Sequence, residues 1–244
     1  MSGSALDRYM RKLGGSLGES VKRKKRYLYS IFGTREESIE AEFRIGKEMS
    51  LLMLKESEES LEPESNKLVS DIGNRLVGNL HDNQRVYSFQ VLESGIVNAC
   101  ALPGGFIYLT TGILNEVQYN RDEVAFIVSH EIMHVALNHA ADKIVSKVLV
   151  DQLAGLVLDK KALVSIARKA LASVLENTYS QEKELDADSY AVKMMRNVGF
   201  DATASITFIN RLKAITGDGP GIYRYFTTHP SFNDRIDHIM KILS

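Results

Sequence analysis

The chain has 244 residues, 44% hydrophobic and 25% charged, which suffices to bury a substantial core in one large domain. With 30 Lys and Arg against 31 Asp and Glu, its formal charge of -1 gives no overall bias toward nucleic acid or anionic membrane. The one cysteine, Cys100, excludes an internal disulfide and a Cys-rich structural zinc site.

The start of the chain is basic. Before Gly33, Arg8, Arg11, Lys12 and the Lys22–Arg26 run outnumber Asp7 and Glu19, and Gly14, Gly15 and Gly18 disfavour a packed helix. Residues 1–34 are therefore expected to form a basic N-terminal arm, and residues 35–244 the folded domain. The Lys22–Arg26 run reads as a solvated face, with contact to anionic lipid or a partner as the alternative. No apolar stretch follows these basic residues, so no signal peptide is expected. Nowhere do eighteen apolar residues run together, so no transmembrane helix is expected either. The chain reads as soluble and cytoplasmic, or as exported if Met1-Ser2-Gly3-Ser4 replaces a removed leader.

From Glu36 to about Ser60, Ile39, Phe43, Met49, Leu52 and Met53 recur at helical spacing. A second helix is expected from Pro63 to about Leu80, with Leu68, Ile72, Leu76 and Leu80 on one face and Pro63 in its first turn. The period then changes. Tyr87–Leu92 alternates like a strand, Phe106–Thr111 is rich in β-formers, and Pro103-Gly104-Gly105 signals a turn between them. After Gly112 the pattern is helical: a helix to about Ala140, an amphipathic stretch from Ile144 to Val174, and helices at Gln181–Val198, Ala202–Ile215 and from about Ser231. Gly199 reads as a helix stop and Gly217–Gly221 as a flexible linker, which suggests a gate beside a site. The fold class expected is α+β, mainly helical, with a small antiparallel or mixed sheet.

The first of these later helices contains His130-Glu131-Ile132-Met133-His134. Residues four apart on an α-helix lie about 40° apart around its axis, so two imidazoles reach one ion from one face. Glu131 then reaches the side where a metal-activated water would sit. The helix is apolar nearly all round, and burying two His and a Glu without partners is costly unless a metal compensates. His139 lies five residues beyond His134, about 140° round a continuous helix, and so reads as a surface or capping residue rather than a ligand.

Two His ligands leave a catalytic zinc in need of a third protein ligand and an open position. Glu182/Asp186 and Glu184/Asp188 are both spaced four apart. Glu184 and Asp188 share a stripe with Ala187, Ala191 and Met195, whereas Glu182 and Asp186 share theirs with Ser189, Lys193 and Arg196 and read as solvent-facing. Glu184 is the expected third ligand, and Asp188 the residue that hydrogen-bonds a ligand imidazole.

These residues resemble a known family. His130-Glu131-x-x-His134 followed by Glu184-x-x-Ala187-Asp188 is similar to the gluzincin endopeptidases of metallopeptidase family 48, which includes the HtpX-like and CaaX prenyl proteases. Asn98–Gly105 resembles the family's Asn-Ala-Phe-Ala-x-Pro-Gly-Gly edge strand, with Cys100 in place of the Phe. Glu40–Gly46 resembles its early helix, and Thr228–Ser231 with Arg235 its C-terminal His-Pro segment. Gln181 stands where many members have Arg. The match runs from about Ile39 onward and lacks the membrane spans of many relatives.

The resemblance implies a zincin-like domain holding one zinc ion per chain, with His130, His134 and Glu184 as ligands and Glu131 as general base. It implies a protein or peptide substrate bound as an extended strand at Asn98 and Ala99. His229 is implied either to stabilise the oxyanion or to fill the fourth zinc position at rest. Arg235 is expected to pair with a site acid or with the substrate, with a plain helix ion pair as the equal alternative, and Cys100 to fill space in its strand. The function expected is a zinc-dependent endopeptidase in protein quality control. The alternative is a latent or low-turnover zincin serving as a chaperone-like or regulatory binding module, against which the intact Glu131 argues. The Ile144–Val174 stretch suits packing on the core or on another subunit, with peripheral membrane contact as the minority reading.

Overall fold

The computed structural model describes residues 34–59, 62–80, 84–145, 160–176, 179–215, 229 and 232–244. All but the last residue of the expected arm, the Gly217–Gly221 linker and the middle of the Ile144–Val174 stretch lie outside the described residues.

Helix α1 (Arg35–Glu56) starts at a capping box, in which the Thr34 hydroxyl accepts from the Glu37 amide and the Glu37 carboxylate accepts from the Thr34 amide. Ile45, Met49 and Met53 recur on its buried side. A two-residue strand β1 (Glu58–Glu59) follows, then α2 (Pro63–Val77), with Pro63 in its first turn as expected. Strands β2 (Ser88–Glu93), β3 (Ala99–Leu102) and β4 (Phe106–Thr110) come next, with Pro103–Gly105 forming a 3-10 turn between β3 and β4. Gly104 and Gly105 take φ of 79° and 101°, the left-handed region that glycine occupies at least cost.

The sheet order is β1-β2-β4-β3, with β2 and β4 parallel and the other pairs antiparallel, so the sheet is mixed. This places β3 at an edge. Alternate residues face opposite layers. Ala99, Ala101, Ile107 and Leu109 join the main core with α2 and the helices after the sheet. Leu102, Phe106, Tyr108 and Cys100 face α1 and a later helix, and Ser50 of α1 is 2.6 Å from the Tyr108 hydroxyl.

Helices α3 (Thr111–Glu116) and α4 (Arg121–Ala136) follow. Asn120 caps α4 by accepting from the Asp122 and Glu123 amides. From Glu123 to Ala136 every residue of α4 is buried, which explains why its sequence shows no amphipathic period. Then come α5 (His139–Val145), α6 (Lys160–Glu176), α7 (Gln181–Asn197), α8 (Ala204–Ile215) and α9 (Phe232–Leu243). Helix α7 packs along α4, α8 braces α4 through Arg211 and Glu123, and α9 closes over α7. On the other side, α6 lays Ile166, Ala167, Ala170 and Leu171 against α1 and the sheet.

The α+β, mainly helical expectation holds. One boundary differs with consequences for the site: the helix expected to continue to Ala140 stops at Ala136. Asn138 takes a left-handed φ of 64° and α5 starts afresh at His139. The Asn138 side-chain oxygen accepts from Arg85 at 2.6 Å, and Arg85 also pairs with Glu42 of α1 at 3.0 Å, all three buried. This buried polar node holds the break.

Candidate metal centre

Helix α4 carries His130 and His134 one turn apart, both fully buried, with their Nε2 atoms 3.0 Å from each other. Helix α7, capped by Ser180, packs against α4 and brings in Glu184, whose carboxylate oxygens lie 3.5 Å from His130 Nε2 and 3.3 Å from His134 Nε2. His229, ahead of α9, adds Nδ1 at 2.9 Å from Glu184 and 3.3 Å from His130 Nε2. His130, His134, Glu184 and His229 thus converge as one buried group with a ligand atom from each.

Outer contacts orient this group. Asp188, one turn beyond Glu184 on α7, lies 2.9 Å from His130 Nδ1. Arg235 of α9 donates from Nε and Nη2 to the two Asp188 oxygens at 2.7 and 2.8 Å, and its Nη1 lies 3.2 Å from Glu184. His139 Nδ1 lies 3.1 Å from His134 Nδ1. Tyr179 stacks on the His134 ring at 3.9 Å between centroids and 16° between planes.

Burial and close contacts shift the titration of most of this group. Burial pushes the His134 pKa well down, helped by the charge of His130, which favours a neutral imidazole. Burial lowers that of His130 too, but hydrogen bonds to Asp188 and Glu184 prevail and hold it at about 9. For Glu184, burial is outweighed by the His229 charge and hydrogen bonds from three imidazoles, so its carboxyl lies well below the usual range. Asp188 is likewise held low, with the Arg235 guanidinium overcoming its burial. Burial raises the Tyr179 phenol well above its ordinary value and keeps it protonated.

Do these residues fit an ion? Four donors at about 2.0–2.2 Å from a common centre, in tetrahedral array, stand about 3.3–3.6 Å apart. The His130–His134, His–Glu184 and His229 separations of 2.9 to 3.5 Å lie at or slightly inside that range. Glu184 and Asp188 face one guanidinium, Arg235, at zero exposure, and the imidazoles of His130, His134 and His229 crowd the same carboxylates. Both oxygens of Glu131 are buried without a hydrogen-bond partner, and His229 Nε2 is 3.5 Å from one of them. The carboxylate thus keeps its acceptor positions open beside the centre. The donor set fits a zinc-type site.

Glu131 and His229 also line a shallow recess with Asn98, Ala99, Cys100, Ala101, Val174, Leu175 and Tyr179. Strand β3 forms one wall, and the Asn98 side-chain oxygen is buried there without a partner. Asn98 itself precedes β3, held by backbone and hydroxyl contacts with Thr110, while Ala99 opens the strand opposite Leu109.

All the site residues expected from sequence therefore lie in or beside one centre, and Arg235 pairs with site acids. Two expectations are corrected. His139 is buried and touches His134, because the break at Asn138 resets the helical phase. Asp186, expected to face solvent, is buried, although Glu182 is exposed. Tyr179 had no sequence signal; it lies just before the α7 cap, outside any periodic segment.

The model of Peptidase family M48 matches residues 63–243. The mitochondrial metalloendopeptidase OMA1 of Arabidopsis thaliana is 32% identical over 59% of this chain and 29% of its own length. A putative beta-barrel assembly-enhancing protease of Vibrio cholerae is 28% identical over 72% of this chain and 38% of its own. The metalloprotease YcaL of Escherichia coli is 24% identical over 71% and 66% respectively. The chain spans about a third of the length of the first two relatives. Among the described residues no helix is long and apolar enough to cross a membrane. The family match covers most of the chain and includes every residue of the buried centre, so the chain belongs to Peptidase family M48.

Proposed function

We propose that the chain is a zinc-dependent endopeptidase in which His130, His134 and Glu184 hold the ion and Glu131 is the general base. The observation that carries this reading is the unpartnered Glu131 carboxylate buried beside a convergent group of His and Glu donors. When bound, zinc would supply Lewis acidity toward the scissile carbonyl and toward the attacking water. Glu131 accepts the water proton on a carboxylate oxygen and returns it to the leaving amine nitrogen. Asp188 and Arg235 hold His130 and Glu184 in orientation. The β3 edge, with Asn98 and Ala99, pairs with an extended substrate backbone next to the recess. A protein substrate in a quality-control setting suits a chain similar to a beta-barrel assembly-enhancing protease.

The place of His229 favours a latent resting state. Its Nδ1, 2.9 Å from Glu184, stands where it completes a four-donor set, and catalysis needs that position open.

The test is digestion of an unfolded protein by zinc-loaded wild type, Glu131→Gln and His229→Ala. Slow cleavage by wild type, faster cleavage by His229→Ala and none by Glu131→Gln is expected. If zinc-loaded wild type and His229→Ala both leave the substrate intact, the chain is a binding module instead.

A further inference from the structure

We infer that His139 is a positioning residue, whose Nδ1 accepts the Nδ1 proton of His134 and so fixes the tautomer that turns the His134 Nε2 lone pair toward the metal. This rests on the reading of His134 as a ligand. The two Nδ1 atoms are 3.1 Å apart and both rings are buried. At that distance one shared proton gives a hydrogen bond, whereas two protons clash and none leaves two lone pairs opposed. His134 Nε2 faces His130 and Glu184, so its lone pair is needed there and the ring proton belongs on Nδ1. His139 then carries its own proton on Nε2.

The two histidines of the motif are thus anchored differently. His130 Nδ1 has a carboxylate, Asp188, at 2.9 Å, while His134 has a second imidazole. Tyr179, stacked on the His134 ring, limits its tilt but leaves the tautomer undetermined. The backbone is shaped for this contact. On a continuous helix His139 would point about 140° away from His134. The left-handed residue Asn138, clamped through Arg85 to Glu42, turns His139 inward. Non-glycine residues adopt that conformation at a cost, which asparagine keeps small.

The experiment compares wild type, His139→Leu, which removes the acceptor, and His139→Gln, which restores one through its amide oxygen. Zinc affinity is read by competition with a chromogenic chelator, and folding by near-ultraviolet circular dichroism. His139→Leu should bind zinc about 10–100-fold more weakly, and His139→Gln should recover most of the loss. In zinc-loaded wild type, nitrogen NMR should show the His134 proton on Nδ1 and a through-bond coupling to His139 Nδ1, a readout that needs no variant to fold. Equal affinity in all three proteins, equal loss in both variants, or a His139 proton on Nδ1 would overturn the inference while leaving the metal centre intact. A wild type that binds no zinc would overturn the metal centre itself, and this inference with it.

Discussion

Arg235 and Asp188 form a fully buried pair in which two parallel hydrogen bonds, 2.7 and 2.8 Å long, join α9 to α7 directly behind His130. The C-terminal helix is thereby part of the metal centre. Removing the guanidinium leaves buried carboxylates uncompensated, a loss of about 3–5 kcal/mol for such pairs. Arg235→Ala should lower the thermal midpoint of the metal-free protein markedly. Arg235→Lys should recover only part of it, because an ammonium cannot reproduce the two-pronged contact. An unchanged midpoint in Arg235→Ala would show that the pair adds nothing to stability.

Glu131 has no hydrogen-bond partner to lose, so Glu131→Gln should leave folding and zinc content unchanged. Turnover of a peptide substrate should fall at least about 100-fold, the usual contribution of a positioned base. Steady-state hydrolysis with parallel metal analysis separates the two effects. Residual activity near wild type would remove Glu131 from the base role.

Gly46 on α1 sits against the Pro103 carbonyl, and a Cβ there would collide with it. Gly104 combines φ of 79° with a Cβ position 2.6 Å from the Phe43 Cα. Gly46→Ala and Gly104→Ala should each destabilise by about 1–3 kcal/mol or more, as forced overpacking does, measurable by urea denaturation. Gly95→Ala, which meets open space, is the control and should change stability by less than about 0.5 kcal/mol.

Tyr190 on α7 has its pKa pushed up to about 12, first by burial and then by the charge of Asp186 one turn earlier. An unfolded tyrosine releases its proton near about 10. Between those values the unfolded chain binds fewer protons than the folded one, so stability falls as pH rises through the window and is fully present below it. Tyr190→Phe should flatten this alkaline decline in a series of denaturation curves from pH 9 to 12. An identical slope in the variant would place the effect elsewhere.

Much of the centre was legible because it obeys helical spacing. His130 and His134 on α4, and Glu184 with Asp188 on α7, announce one face each, and small and apolar neighbours identify the buried one. The sheet was legible in part: alternation marked β2, β-forming residues marked β4 and the family resemblance of Asn98–Gly105 marked β3, but the pairing of two-residue β1 with β2 has no local signal. The place of His139 is not legible from helical phase because the phase resets at Asn138, whose left-handed turn depends on Arg85 and Glu42, 53 and 96 residues away in sequence. Asp186 was misplaced because its stripe meets α9, which covers that side of α7 through contacts such as Ser189 with His238. Tyr179 is placed by tertiary packing alone.

The most direct test is the metal content of the folded 244-residue chain after zinc loading and removal of excess, for wild type and Glu184→Ala. About one zinc per wild-type chain and a large loss in Glu184→Ala is the result the metal-centre account predicts. A folded wild type that retains no stoichiometric zinc, or a Glu184→Ala variant that retains it undiminished, would contradict it.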